Sequence, residues 1–222
     1  MTDQPHCPAA RVRRRLMSIY DALLAYFGPR HWWPGDSPFE VCVGAILTQN
    51  TAWSNVRKAI DGLKAAGALS VEGVHGLRVA KLAAIIRSSG YYNQKADRLK
   101  RFAATLVDEA DGSLDRFFDR DTDALRARLL AMKGVGEETA DSILLYAAGR
   151  PRFVVDAYTK RVFFRKAMIP EKAGYGEVQA FFERYLPPDV ALYNDYHAQI
   201  VALGHHFCRP TPLCDACPVN GL

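Results

Sequence analysis

Apolar residues recur at steps of three and four along almost the whole chain, and that spacing admits helices and little else. Between Gln94 and Leu106 the apolar positions are Ala96, Leu99, Phe102, Ala103 and Leu106, while Lys95, Asp97, Arg98, Lys100 and Arg101 fill the other face. Comparable stripes run through Arg14–Phe27, Glu40–Gln49, Val56–Ala66, Val79–Ser88, Asp123–Met132, Glu138–Ala148, Ala157–Ala167, Gly176–Tyr185 and Val190–Leu203. The breaks carry glycine or proline, as in "FGPRHWWPGDSP", "SSGYYN", "AAGRPR" and "LPPD", the residues that end helices and shape turns. Only "RFVV" reads as a strand, and it is too short to found a sheet. The pattern predicts an all-α protein with short connections.

With 222 residues, 49% of them hydrophobic, the chain can bury one or two ordinary globular cores. The apolar runs "AAII" and "ILLYAA" fall far short of a membrane span, and "MTDQPHCPAARVRRRL" lacks the apolar centre of a secretory signal. A cytoplasmic protein with no membrane partner is expected. The net charge of +5 is modest, but it is segregated. Arg150–Lys166 holds six basic residues against Asp156 alone, Lys81–Arg101 holds six against Asp97, and Asp108–Asp123 holds seven acidic residues against Arg116 and Arg120. Such segregation suits either a basic face for nucleic acid or a set of solvated helix faces.

The stretch "LLAMKGVGEETADSILLYA" places Gly134, Val135 and Gly136 where one helix ends and the next begins. Glycine permits a tight turn and lets backbone N–H groups approach an oxygen, and the helix that follows adds its positive dipole end. Such a turn grips a phosphate without reading a base, although glycine between helices is also a common cap. Shortly afterwards Asp156 follows the apolar "FVV" and precedes a helix carrying Lys160 and Arg161. It is either an N-cap or a catalytic carboxylate near phosphate-binding groups, and one residue can serve as both. Five cysteines in an intracellular chain argue against a disulfide framework. Cys208, Cys214 and Cys217, spaced C-x5-C-x2-C, have metal or cluster spacing.

The segment "MKGVGEETADSILLYAAGRPRFVVDAYTKRVFFR" resembles the helix-hairpin-helix plus Gly/Pro-Asp motif of the endonuclease III superfamily of DNA glycosylases. The likeness extends to "GAILTQNT" and "YHAQIVALGHHFC...CDAC", and so covers most of the chain. It implies an all-α, two-lobed fold. Residues 30–150 would form a six-helix barrel ending in the hairpin, and residues 1–29 plus 151–222 a second lobe with the cysteine cluster, with double-stranded DNA in the groove between. The resemblance makes Asp156 the catalytic aspartate. Gln49 would fill the gap left in the duplex, Gly134, Val135, Gly136 and Thr139 would hold the backbone, and Lys160 is read as a phosphate contact.

Strand-cleaving members carry a lysine two residues after the second hairpin glycine, and its amine forms a Schiff base with the sugar. Here that residue is Glu138, and a carboxylate forms no imine. The remaining mechanism is hydrolytic, with Asp156 stabilising positive charge on the sugar and orienting or deprotonating water. Such a scheme protonates the leaving base weakly and favours bases that already leave easily. Trp32, Trp33 and Trp53, all the tryptophans of the chain, flank the loop of Gln49. They are either core or the walls of a pocket for a flipped base, and an indole face attracts a cationic, alkylated one. "WWP", "GAILTQNT" followed by an aromatic, "SGYYNQKADRLK" and "VVDAY" resemble the 3-methyladenine DNA glycosylases of the endonuclease III-like type, in which these aromatics stack on the damaged base.

The same resemblance implies a 4Fe-4S cluster held by Cys208, Cys214 and Cys217, with a structural or DNA-positioning role. The first gap is five residues where the family usually has six, and the expected fourth cysteine would fall at position 223. His205, His206 or Cys7 could replace it, and zinc is an alternative occupant. Cys42 reads as core. The expectation is a monomeric, monofunctional glycosylase of base excision repair, associated with the nucleoid and acting on alkylated purines such as 3-methyladenine. A mismatch, uracil-type or oxidised-pyrimidine glycosylase and a non-catalytic DNA-binding module are the rivals.

Overall fold

A computed structural model describes residues 8–222, and Cys7 lies outside the described residues. It contains twelve α-helices and, among the described residues, no strand. The chain divides into two compact units, a central one of Trp33–Arg150 and a terminal one made of the segment up to Trp32 together with Pro151–Leu222.

The central unit carries α2 (Pro38–Leu47), α3 (Trp53–Ala65), α4 (Val71–Gly76), α5 (Val79–Ile85), α6 (Tyr92–Ala110), α7 (Leu114–Phe118), α8 (Thr122–Leu130) and α9 (Glu137–Ser142). Its core is the apolar stripe of each helix turned inward, with Ile46, Val56, Leu63, Leu82, Leu99, Phe102, Phe117, Leu129 and Leu144 all at or near complete burial. α2 is buried along almost its whole length. The helix starts are set by side-chain caps: Ser37 accepts from the Glu40 N–H, Ser70 from Gly73, Ser113 from Arg116, and Asp121 from Asp123 and Ala124.

Three features depart from the expected pattern. α4 and α7 are too short to show a repeat, and each starts at a serine side-chain cap, Ser70 and Ser113. The helix expected over Glu138–Ala148 is α-helical only to Ser142, then widens into a π turn over Ile143–Ala147. Lys95, assigned to the polar face of α6 by its residue type, is 1% exposed. Its Nζ donates to the carbonyls of Leu47 (2.8 Å) and Ser89 (2.6 Å), so it satisfies the C-terminal end of α2 from inside.

The terminal unit is built from α1 (Pro8–Phe27), α10 (Ala157–Arg165), α11 (Tyr175–Tyr185) and α12 (Val190–His206). Its core is aromatic: Phe153 stacks on Phe182 at 4.0 Å, and Phe163, Tyr193 and Tyr196 meet that pair edge-on. The "RFVV" stretch is extended but unpaired; Phe153, Val154 and Val155 are buried and lead straight into the cap of α10.

Candidate functional site

In the central unit the turn between α8 and α9 is made possible by Gly134, whose φ of +93° no side-chain-bearing residue adopts readily. A Cβ there would also meet the Arg98 guanidinium at 2.5 Å. Val135 is buried and its N–H is used on the Met132 carbonyl (3.0 Å), which closes the turn. Gly136 is the N-cap of α9, so the first-turn N–H groups of that helix face outward with its positive dipole end. Glu137 and Glu138 are exposed on that first turn.

Gln49 leaves the end of α2 and binds this hairpin. Its amide Nε2 donates to the Gly134 carbonyl (3.0 Å) and to the Thr139 hydroxyl (2.9 Å), and its Oε1 accepts from the Arg98 guanidinium. Gln49, Gly134 and Thr139, singled out separately by sequence, therefore form one network. Thr139 is buried beneath the turn rather than displayed on it. Arg98 carries no local signal of this role, since the sequence pattern places it on the polar face of α6. The hairpin is further tied from below: Arg126 of α8 forms a two-point pair with the fully buried Asp141 of α9, Nε to Oδ1 at 2.7 Å and Nη2 to Oδ2 at 3.0 Å.

Trp33 and Trp53 meet edge to face with ring centroids 5.2 Å apart, and Tyr146 lies against Trp33 at 5.3 Å. Trp33 can lie on α2 because Gly44 has no side chain; a Cβ there would touch the indole at 3.0 Å. Tyr146, which the sequence did not single out, belongs to the π turn, and such turns are frequent at functional sites. A cavity of about 420 Å³ opens beside the two indoles and carries Asp36, Glu40 and Asp61 along with Arg57 and Lys64. Trp32 is half-buried and falls in the terminal unit.

In the terminal unit Asp156 caps α10: its Oδ1 accepts from the Thr159 N–H (2.7 Å) and hydroxyl (2.8 Å). The other oxygen, Oδ2, faces His197 Nε2 of α12 at 3.7 Å. The cap thus engages Oδ1 alone. Lys160 is half-buried one turn further along α10.

The three C-terminal cysteines share the loop after α12. Arginines hold that loop by its carbonyls: Arg161 donates to Cys208 (2.6 Å) and Gly204 (3.1 Å), and Arg165 to Arg209 (2.6 Å) and Pro210 (2.9 Å). Cys214 is exposed, and Cys208 and Cys217 are half-buried. Thiolates are the right donors for a soft metal. Among the described residues, however, no three His, Cys, Asp or Glu side chains are gathered to hold one. His205 and His206 are exposed at the end of α12. No step of the chemistry is assigned to a cluster.

Comparison with known proteins adds the following. Residues 43–188 match the family model described as HhH-GPD superfamily base excision DNA repair protein. A DNA repair glycosylase candidate of Methanocaldococcus jannaschii, MJ1434, is 49% identical over 207 residues, which is 92% of this chain and 94% of that one. The solved structure of a Helicobacter pylori 3-methyladenine DNA glycosylase, MagIII, bound to 1,N6-ethenoadenine has 32% identity and a TM-score of 0.76, covering 87% of this chain and 97% of its own. A non-covalent endonuclease III–DNA complex, at 22% identity and a TM-score of 0.79 over 93% of this chain and 92% of that one, shares the fold.

Proposed function

The chain belongs to the HhH-GPD superfamily of base excision DNA glycosylases, and from that premise we propose that it is a monofunctional enzyme hydrolysing the N-glycosidic bond of alkylated purines such as 3-methyladenine. The observation that carries the substrate class is the aromatic group of Trp33, Trp53 and Tyr146 in one unit. Aromatic walls hold a base flipped from the duplex, and electron-rich faces favour a cationic base over a neutral one. MagIII, at 32% identity, is a 3-methyladenine glycosylase and supports the same class.

The reaction needs little acid help for such a base. As the bond to the sugar breaks, its electron pair returns to the cationic ring, which leaves neutral. Positive charge builds on the sugar, where the Asp156 carboxylate stabilises it. A water oxygen then bonds to the sugar carbon, and its proton passes to Asp156 and on to solvent, leaving an abasic site. Lyase chemistry through the hairpin is not expected, because the position two after Gly136 is the exposed Glu138. Gln49 would enter the gap in the duplex, the α9 terminus and Lys160 would hold phosphates, and Trp32 would stack on the damaged base. Cys208, Cys214 and Cys217 would supply three thiolates to an iron–sulfur cluster of structural role.

A base-release assay tests this. Duplex DNA treated with a methylating agent should yield free 3-methyladenine, uracil and mismatched DNA should yield little, and borohydride should trap no covalent adduct. Absence of 3-methyladenine release would refute the substrate class, and a trapped adduct would refute the hydrolytic mechanism. Loss of release in Asp156→Asn is expected; an unchanged rate would move the chemistry elsewhere.

A further inference from the structure

We propose that His197 is a positioning residue for the Asp156 carboxylate: its Nε2–H directs Oδ2, while Thr159 holds Oδ1. The inference rests on the reading of Asp156 as the reacting carboxylate. Nothing in the motifs around Asp156 points to His197, which lies forty-one positions further on in α12.

The geometry is that of a carboxylate held at one oxygen and faced by a second nitrogen at the other. Oδ1 is committed to two donors on Thr159, at 2.7 and 2.8 Å. These bonds alone leave the group free to swing about the Oδ1 side, and the reaction needs Oδ2 aimed at the sugar and its water. His197 removes that freedom. Its side chain is 8% exposed against 13% for Asp156, so water competes weakly for the pair. The separation of 3.7 Å is a few tenths of an ångström beyond hydrogen-bond range, and catalytic bonds of this kind tighten when substrate is in place. α10 and α12 are locked together beside the pair by Arg161, which donates from α10 to the carbonyls of Gly204 and Cys208.

The protonation state fits. Burial pushes the His197 imidazole below its ordinary value, and the Asp156 charge opposes that shift. A neutral imidazole carries a single proton, and with that proton on Nε2 it donates to Oδ2 while leaving Asp156 anionic. A full positive charge there would instead compete with the cationic sugar for the same oxygen.

The test compares His197→Leu, which fills the space without a donor, with His197→Gln, whose amide reaches the Nε2 position. Single-turnover release from methylated duplex DNA is measured beside DNA affinity and melting temperature. His197→Leu should slow release on the order of tenfold to a hundredfold, with binding and melting unchanged, as expected for a misaimed catalytic group. His197→Gln should recover most of the rate. A wild-type rate in His197→Leu, or equal slowing in both variants, would overturn the proposal. Should His197→Leu fail to fold, the imidazole nitrogen shifts of the native protein decide: a proton on Nε2 supports the assignment, and a bare Nε2 overturns it. Asp156→Asn is run in parallel. If it leaves release intact, the reading of Asp156 fails; if it abolishes release while His197→Leu does not, only the role of His197 fails.

Discussion

Removing the Arg126 guanidinium should cost the protein more than any other single change at the hairpin. Asp141 is completely buried in α9, and both of its oxygens accept from Arg126 of α8, at 2.7 and 3.0 Å. Glu137 stands at 3.8 Å from the same guanidinium and is half exposed, so it adds little. Arg126→Met keeps the aliphatic stem and leaves the carboxylate buried without its cation. Breaking a buried pair from one side costs about 3–5 kcal/mol. The Arg126 side chain is 21% exposed, so water can replace part of the lost bonding, and the lower end of that range, about 3 kcal/mol, applies. At about 2–4 °C per kcal/mol for a chain of this size, melting should fall by about 6–12 °C. The double variant Arg126→Met, Asp141→Leu removes the orphaned charge as well and should return to within about 1 kcal/mol of wild type. Urea denaturation of the four proteins of the cycle measures this directly, with unchanged slopes as the check that only stability moved. A single variant within about 1 kcal/mol of wild type would refute the reasoning, because it would mean that Asp141 is not desolvated in solution. So would a double variant no more stable than the single one.

Lys95 gives a pH signature. Burial first, and the Arg98 charge second, pull its ammonium from the ordinary 10.5 down to about 8. The unfolded chain therefore holds this proton more tightly than the folded one, and stability should rise between pH 8 and 10.5 by up to about 1.4 kcal/mol per unit. Lys95→Met should lose that rise; equal slopes in urea titrations of the two proteins would contradict it. Gly134→Ala forces a side chain into φ +93° and against Arg98. Affinity for duplex DNA should fall to a similar degree with and without a lesion, since the contact proposed for the turn is with the phosphate backbone, and a lesion-specific loss would count against that role. Gly44→Ala pushes on the Trp33 indole at 3.0 Å. Tryptophan fluorescence and release of the alkylated base should both change while binding of undamaged duplex does not; an unaltered spectrum would separate Trp33 from α2.

Whether a feature was legible depended on how far apart in the chain its parts lie. Helices longer than two turns announce themselves by period, and the turn at Gly134 and the cap at Asp156 are set by residues within four positions of one another. α4 and α7 fall below the length at which a period exists, and only their serine caps mark them. Lys95 shows a subtler failure. Position 95 shares its stripe with Leu99, Phe102 and Leu106, so the period itself turns it inward, and residue type overruled pattern in reading it as solvated. What makes the ammonium tolerable there are two carbonyls, one at the end of α2 and one at Ser89, and no local motif records them.

The site follows the same rule. Gln49, Gly134 and Thr139 each drew attention for a local reason, but the network that joins them runs through Arg98, forty-nine positions from Gln49. His197 sits opposite Asp156 by the packing of α12 on α10, and Tyr146 meets Trp33 because a π turn shifts the helix register by one residue. A carboxylate, an indole or a glycine can be named from its neighbours in sequence; what aims it is set by tertiary packing. Glu138 is the limiting case, since its meaning is carried by chemistry alone. It is exposed on the first turn of α9, where a carboxylate is well placed against the helix dipole, and it supplies no amine. Under the proposed hydrolysis, the missing amine at this position is what would set the chain apart from strand-cleaving relatives, and that difference lies in the residue type rather than in the helix geometry.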